Sequence, residues 1–152
     1  MPYPATERIA RFTTQMEFAD IPSAAVETAK IGLRDCLGVS LAGSADEAGS
    51  IAAGLARAEG AREEASVIGH GFRTSAQQAA FANGVAAHAL DYDHSFWSGG
   101  QPTAPVIPAA MAMAEAVSAD GRELLTAYAI GFEVTAKISR SLYTTVQHAW
   151  HA

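Results

Sequence analysis

Asp91 is the residue that type and surroundings best suit to proton chemistry. It stands in HALDYDHSFWSGGQPTAP, residues 88–105, where two histidines, two aspartates, Tyr92, Trp97 and a Gly-Gly pair interrupt flanks rich in alanine, valine and leucine. A carboxylate at a helix end, partly shielded from water by aromatic rings, can exchange a proton near neutral pH. Gly99 and Gly100 let the backbone approach a small ligand, and Phe96 and Trp97 can exclude water from it. The plainer reading is that Asp91 and Asp93 only form a turn or cap the next element. A third reading is a cation site, since His88 and Asp91 stand three apart and Asp93 and His94 follow. That spacing matches no recognised ligand pattern and no cysteine cluster supports it, so metal-free acid/base chemistry is preferred.

Other reactive side chains have quieter readings. His151 lies between Trp150 and Ala152 with His148 one helical turn earlier, and nothing local distinguishes a working histidine from a core one. His70, between Gly69 and Gly71, reads as a solvated turn residue. Cys36 has no base near it in sequence and reads as a buried, inert thiol, consistent with a reducing cytoplasm. The glycines around His70 are followed by no Walker lysine, which excludes a phosphate loop. Met111 and Met113 read as core packing.

The elements that must position Asp91 are helical. IPSAAVETAKIGLRDCLGVSLAG sets Val26, Ala29, Leu33, Leu37 and Leu41 on one face, with Pro22 at the start and Gly43 at the end. A second helix is expected over 47–59, stopped by Gly60. ASVIG, bounded by charge and glycine, is the one strand candidate, so at most a short strand or hairpin is expected near 65–73. Thr74 or Ser75, followed by Gln77 or Gln78, marks a helix start, and the small side chains from Ala79 to Ala87 suit a central helix that others approach closely. PVIPAAMAMAEAV reads as a helix with Pro105 or Pro108 confined to its first turn. Asp120 with Glu123 caps LLTAYAIGFEVTAKIS, whose apolar residues spread around the circumference and predict a buried helix. The expected fold is a mainly α, Ala-rich array without repeats or linkers.

The 152 residues are 49% hydrophobic and 17% charged, which fits one globular domain. A formal net charge of -6 and the absence of any basic run argue against nucleic acid or an anionic membrane as partner. The uncharged run from Ser95 to Ala114 is broken by glycines and prolines, so no membrane span is expected. A soluble, cytoplasmic protein follows as the expectation.

Taken together, ASVIGHGFRTSAQQAAFANGVAAHALDYDHS, QPTAPVIPAAMAMAEA and GRELLTAYAIGFEV resemble the MmgE/PrpD family, which includes 2-methylcitrate dehydratase, cis-aconitate decarboxylase and iminodisuccinate epimerase. AKIGLRDCLGVSLAG resembles that family's first long helix. The family's HALDxDD pattern with a following hydroxyl matches residues 88–93, with His94 in place of the third acid and Ser95 as the hydroxyl. The resemblance implies that Asp91 is an active-site aspartate. It also implies that His151, in a step matching glycine-aromatic-histidine, is an active-site histidine. Where the family has His-Pro-Ser/Thr, this chain has Gln101, Pro102 and Thr103. An amide donates and accepts hydrogen bonds but does not exchange protons, so an epimerase or an altered dehydratase is favoured over a standard 2-methylcitrate dehydratase. Ser95, Gln101 and Thr103 would hydrogen-bond substrate and Trp97 would wall the pocket. The resemblance implies no metal and no organic cofactor, a small di- or tricarboxylate as substrate, and a homodimer.

Family members are much longer, with a following α/β domain and substrate-binding lysines that have no counterpart in residues 1–152. The expectation is therefore a single partial domain, the N-terminal portion of the helical domain, cut from or split from its remainder and inactive alone. The resemblance then implies a metal-independent lyase or isomerase, with a non-catalytic helical self-association or partner-binding module as the rival.

Overall fold

The computed structural model describes residues 4–96 and 100–150, with 143–150 given as helix backbone alone. Chain order is α1 (Ala5–Gln15), a short 3-10 turn (Phe18–Asp20), α2 (Ser23–Gly43), α3 (Glu47–Ala58), β1 (Ala65–Val67), β2 (Phe72–Thr74), α4 (Ala76–His88), α5 (Thr103–Val117) and α6 (Gly121–Trp150). The mainly α expectation holds. So does the hairpin, in which β1 and β2 pair antiparallel with Ala65 opposite Thr74 and Val67 opposite Phe72.

Side-chain caps set the starts of α3, α4 and α6. Asp46 accepts a bond from the Ala48 amide at 3.0 Å ahead of α3, and Ser75 accepts one from Gln78 at 3.3 Å ahead of α4. Before α6 the full reciprocal box forms: Asp120 Oδ1 accepts from the Glu123 amide at 2.9 Å, and Glu123 Oε2 accepts from the Asp120 amide at 2.7 Å. The first turns therefore satisfy amide donors that have no partner within their own helix.

α4 is central, packing against α2, α3 and α5. Its Ala79 and Ala82 join one core cluster with α3 residues, the hairpin and Ala112 of α5. Its Ala87 joins a second with Ala29, Cys36, Ala104, Ile107 and Tyr128, which tie α2, α5 and α6 together. With methyl groups in place of larger side chains, neighbouring backbones come close: a Cβ added at Gly43 of α2 would lie 2.0 Å from the Ala86 carbonyl oxygen. Asn83 of α4 pins the hairpin, accepting from the Ile68 amide and donating to the Ser66 carbonyl, each at 2.9 Å. From α5, Glu115 Oε2 takes the Ser66 hydroxyl and Arg73, each at 2.7 Å.

Three expectations need correction. α5 begins at Thr103, so Pro105 lies in its first turn but Pro108 is an interior proline. Lacking an N–H, Pro108 cannot bond back to Ala104. α6 is not buried all round: Tyr128 and Ala136 are buried, whereas Ile138 and Leu142 are exposed. Its neighbours α1, α2 and α5 leave a face for Glu123, Glu133 and Lys137, charges that the apolar tally passed over. His70 is not simply solvated, since its Nε2 is buried without a hydrogen-bond partner and its carbonyl accepts from Arg57 at 3.2 Å.

Cys36 meets its expectation of burial. It is 1% exposed, and burial pushes its thiol up from 9.0 to about 11, with nearby Asp93 and Asp35 adding to the rise and a Ser40 hydrogen bond offsetting part of it. The folded state thus prefers the neutral thiol. Its contribution is whole below pH 9 and is lost as pH climbs from about 9 to about 11, an effect on the order of 3 kcal/mol. Urea unfolding at pH 8 and pH 10.5 should show a steeper alkaline loss for the wild type than for Cys36→Ala. Parallel losses would mean that the thiol ionises without penalty.

Candidate active site

α4 ends at His88, and the chain reverses there because Asp91 adopts a left-handed backbone, φ +52. Aspartate tolerates that region better than most residues. The Asp91 amide donates to the His88 carbonyl at 3.0 Å, closing the turn. The reversal sends the two aspartates different ways. Asp93 is buried at 4% exposure, with Oδ1 2.9 Å from His88 Nδ1 and Oδ2 buried without a partner, while Asp91 is exposed.

Gln101, just ahead of α5, donates from Nε2 to Asp91 Oδ1 at 2.6 Å. This joins two of the sequence candidates directly. The intervening loop is closed by the Phe96 amide donating to the Gly100 carbonyl at 3.0 Å. Asp91 does not occupy the partly dry pocket expected for it.

Thr103, the first residue of α5, is fully buried, and its hydroxyl is hydrogen-bonded to His94 Nδ1. It is joined to the site through His94 and not through Asp91. The His94 ring stacks on Phe132 of α6 with centroids 5.8 Å apart, and Phe132 also meets Phe96 and Tyr128 edge-on. Burial pushes the Tyr128 phenol above its ordinary pKa, offset in part by a hydrogen bond with Thr103. Ser95 is exposed. Trp97 and His151 lie outside the described residues.

Tyr128 and Phe132 were not sequence candidates. Their four-residue spacing puts them on one face of α6, a signal indistinguishable from core packing. A cavity of about 710 Å³ between α2 and α6 is lined by His94, Tyr92, Tyr128, Phe132, Asp35 and Glu133, among others. A second space of about 710 Å³, lined by His88, Gln101, Phe81 and small residues of α4 and α5, lies against the groove between those helices.

Among the described residues, His88, Asp91 and Asp93 offer ligand atoms within 4.8 Å of one another. His88 is hydrogen-bonded to Asp93 and Asp91 to Gln101, while Asp93 Oδ2 is left without a partner. No described helix is long and apolar enough to cross a membrane.

The arrangement defines a mainly helical, Ala-rich domain that presents a carboxylate–amide pair and a neighbouring imidazole where α4 turns toward α5. The MmgE/PrpD N-terminal domain matches residues 7–152, and the chain belongs to that family. It is 28% identical over 138 residues to cis-aconitate decarboxylase of Homo sapiens, and 27% identical over 138 residues to the Mus musculus protein of the same name. Each match covers 88% of this chain but only 29% and 28% of the relative, so the chain spans less than a third of their length.

Proposed function

We propose that this domain supplies part of the proton-transfer site of a lyase or isomerase acting on small polycarboxylates, with Asp91 as the base. The observation that carries the reading is the 2.6 Å bond from Gln101 to Asp91 Oδ1, which orients the carboxylate and leaves Oδ2 available to a substrate C–H. Membership of the family and the likeness to cis-aconitate decarboxylases support polycarboxylates as the substrate class. Gln101 cannot return a proton. A reaction in which one group removes a proton and another returns it, as in epimerisation, therefore suits this chain if His151 approaches the opposite face of the substrate. Ser95 and Gln101 would bind substrate oxygens, Trp97 would wall the pocket, and no metal or organic cofactor enters the reading. The test is to incubate the complete polypeptide with di- and tricarboxylates, cis-aconitate among them, in heavy water. Deuterium should appear at a carbon next to a carboxylate, and its absence from every substrate and product would sink the reading.

Self-association is a second reading, favoured by the apolar surface of α2 and α3, where Leu41, Ile51 and Leu55 are each more than half exposed. We infer a homodimer formed through such faces. Sedimentation that stays monomeric up to the highest workable concentration would oppose it.

A further inference from the structure

The cavity of about 710 Å³ between α2 and α6 has the size of a small-molecule site, and its lining combines aromatic rings with negative charge. The rings hold one another in place. Tyr128 and Phe132 of α6 meet edge-on with centroids 6.0 Å apart, and His94 stacks on Phe132 at 5.8 Å. Tyr128 is also seated against α2, where a Cβ added at Gly32 would lie 2.6 Å from its hydroxyl oxygen. Tyr92 lines the same space while remaining 74% exposed, which leaves a ring available to whatever enters. Two carboxylates complete the lining, Asp35 from α2 and Glu133 from α6, and no lysine or arginine is among the lining residues. Asp35 has no hydrogen-bond or ion-pair partner among the described residues. Glu133 Oε1 accepts from Lys137 at 2.8 Å, but that ammonium lies 5.5 Å over the Phe12 ring of α1, and neither Lys137 nor Phe12 lines the cavity.

We propose that the α2–α6 cavity binds an organic cation, an ammonium group carried on an apolar body. An aromatic face attracts a cation through its quadrupole, and a carboxylate beside it supplies a direct charge partner. Asp35 is the carboxylate left open for that partner. An anion meets repulsion from Asp35 and Glu133, so the polycarboxylate proposed as substrate is not the occupant of this space. A bare divalent ion is also unsuited, because it needs several converging oxygen or nitrogen ligands. Among the described residues the one such group is His88, Asp91 and Asp93, and it includes neither Asp35 nor Glu133. Asp91 does not line the α2–α6 cavity, and Gln101, which it accepts from, lines the other space, between α4 and α5. Binding of a cation here is therefore independent of the proton transfer proposed for Asp91.

Benzyltrimethylammonium titrated into the 152-residue chain and followed by amide NMR tests the site. Saturable shifts centred on Gly32, Asp35, Phe132 and Glu133 are expected, with no response to phenylacetate, which carries the opposite charge on a similar ring. Benzyl alcohol, which keeps the ring without the charge, should bind several-fold more weakly than the cation. Asp35→Asn should weaken the cation about 2- to 5-fold, the size of one exposed ion pair, and Phe132→Leu should weaken it by a similar factor through the lost ring face. Phe132→Leu also disturbs the ring cluster. Asp35→Asn, at an exposed and unbonded side chain, keeps the fold and is the deciding variant, with the helical circular dichroism signal as its check. Failure to saturate, an equal response to benzyl alcohol or phenylacetate, shifts confined to other elements, or unchanged affinity in Asp35→Asn would each overturn the proposal. So would displacement of the cation by an equal concentration of magnesium, since Asp35 and Glu133 would then act as a bare charge patch without help from the rings.

Discussion

Asp91→Asn should lower turnover of the complete polypeptide by roughly 10²- to 10⁴-fold, the range a positioned acid/base group contributes, while leaving the fold intact. Asparagine has almost the same shape, and its carbonyl oxygen can accept the Gln101 bond that Asp91 Oδ1 now accepts at 2.6 Å. It also tolerates the left-handed backbone at this position better than most residues, so φ +52 remains accessible. What is lost is the carboxylate as proton acceptor. The variant therefore separates chemistry from architecture at one atom. Initial rates on a substrate that shows deuterium exchange, read beside the helical circular dichroism signal, give the result. Unchanged turnover would remove Asp91 from the chemistry and leave it a turn residue bonded to an amide.

Gly43→Ala should cost roughly 3 kcal/mol or more, at the upper end of what overpacking costs. The added Cβ would meet the Ala86 carbonyl oxygen at 2.0 Å and its carbon at 3.0 Å, and backbone atoms cannot rotate away as a side chain can. α2 and α4 would have to separate, opening the cluster that holds Cys36 and Ile107. Gly54→Ala is the matched control. It lies inside α3 with nothing within 4 Å of its added Cβ, so the substitution should stabilise by about 0.5–1 kcal/mol through helix preference alone. Urea midpoints should move in opposite directions. A Gly43→Ala protein as stable as the wild type would mean that α2 and α4 are not in backbone contact.

The parts of the fold that could be read from sequence are those set by neighbours along the chain. Asp120 and Glu123 announce α6, Ser75 announces α4, and Gly69 and Gly71 mark the turn of the hairpin, because capping and turn chemistry act over a few residues. α1 has no side-chain cap and no buried residue, so no capping pair marks its start and its apolar face meets no core. The interior position of Pro108 was missed because α5 starts at Thr103, two residues before the first proline that marked its first turn. The site divides similarly. The richness of residues 88–105 in polar and aromatic groups was plain, but its geometry was not. Which aspartate turns inward depends on the single left-handed residue at Asp91, and two-residue spacing does not specify it. The pairing of Gln101 with Asp91 requires the loop between Phe96 and Gly100 to close, and that of His94 with Thr103 and Phe132 requires α5 and α6 to be docked. These are consequences of tertiary packing that no local pattern encodes.

The smallness of the α4 side chains bears on the order in which this domain can assemble. A helix that contributes mainly methyl groups to its neighbours surrenders almost no rotamer entropy when it docks, since alanine has no side-chain rotamers to lose. Its loss is confined to backbone freedom, much of which helix formation itself has already removed. The larger residues around it, Ile107 and Tyr128 among them, must each settle into one rotamer before their cluster is complete. α4, shared by both clusters, can thus seat early as a template, and the bulky side chains of α5 and α6 choose their conformations against a surface already in place.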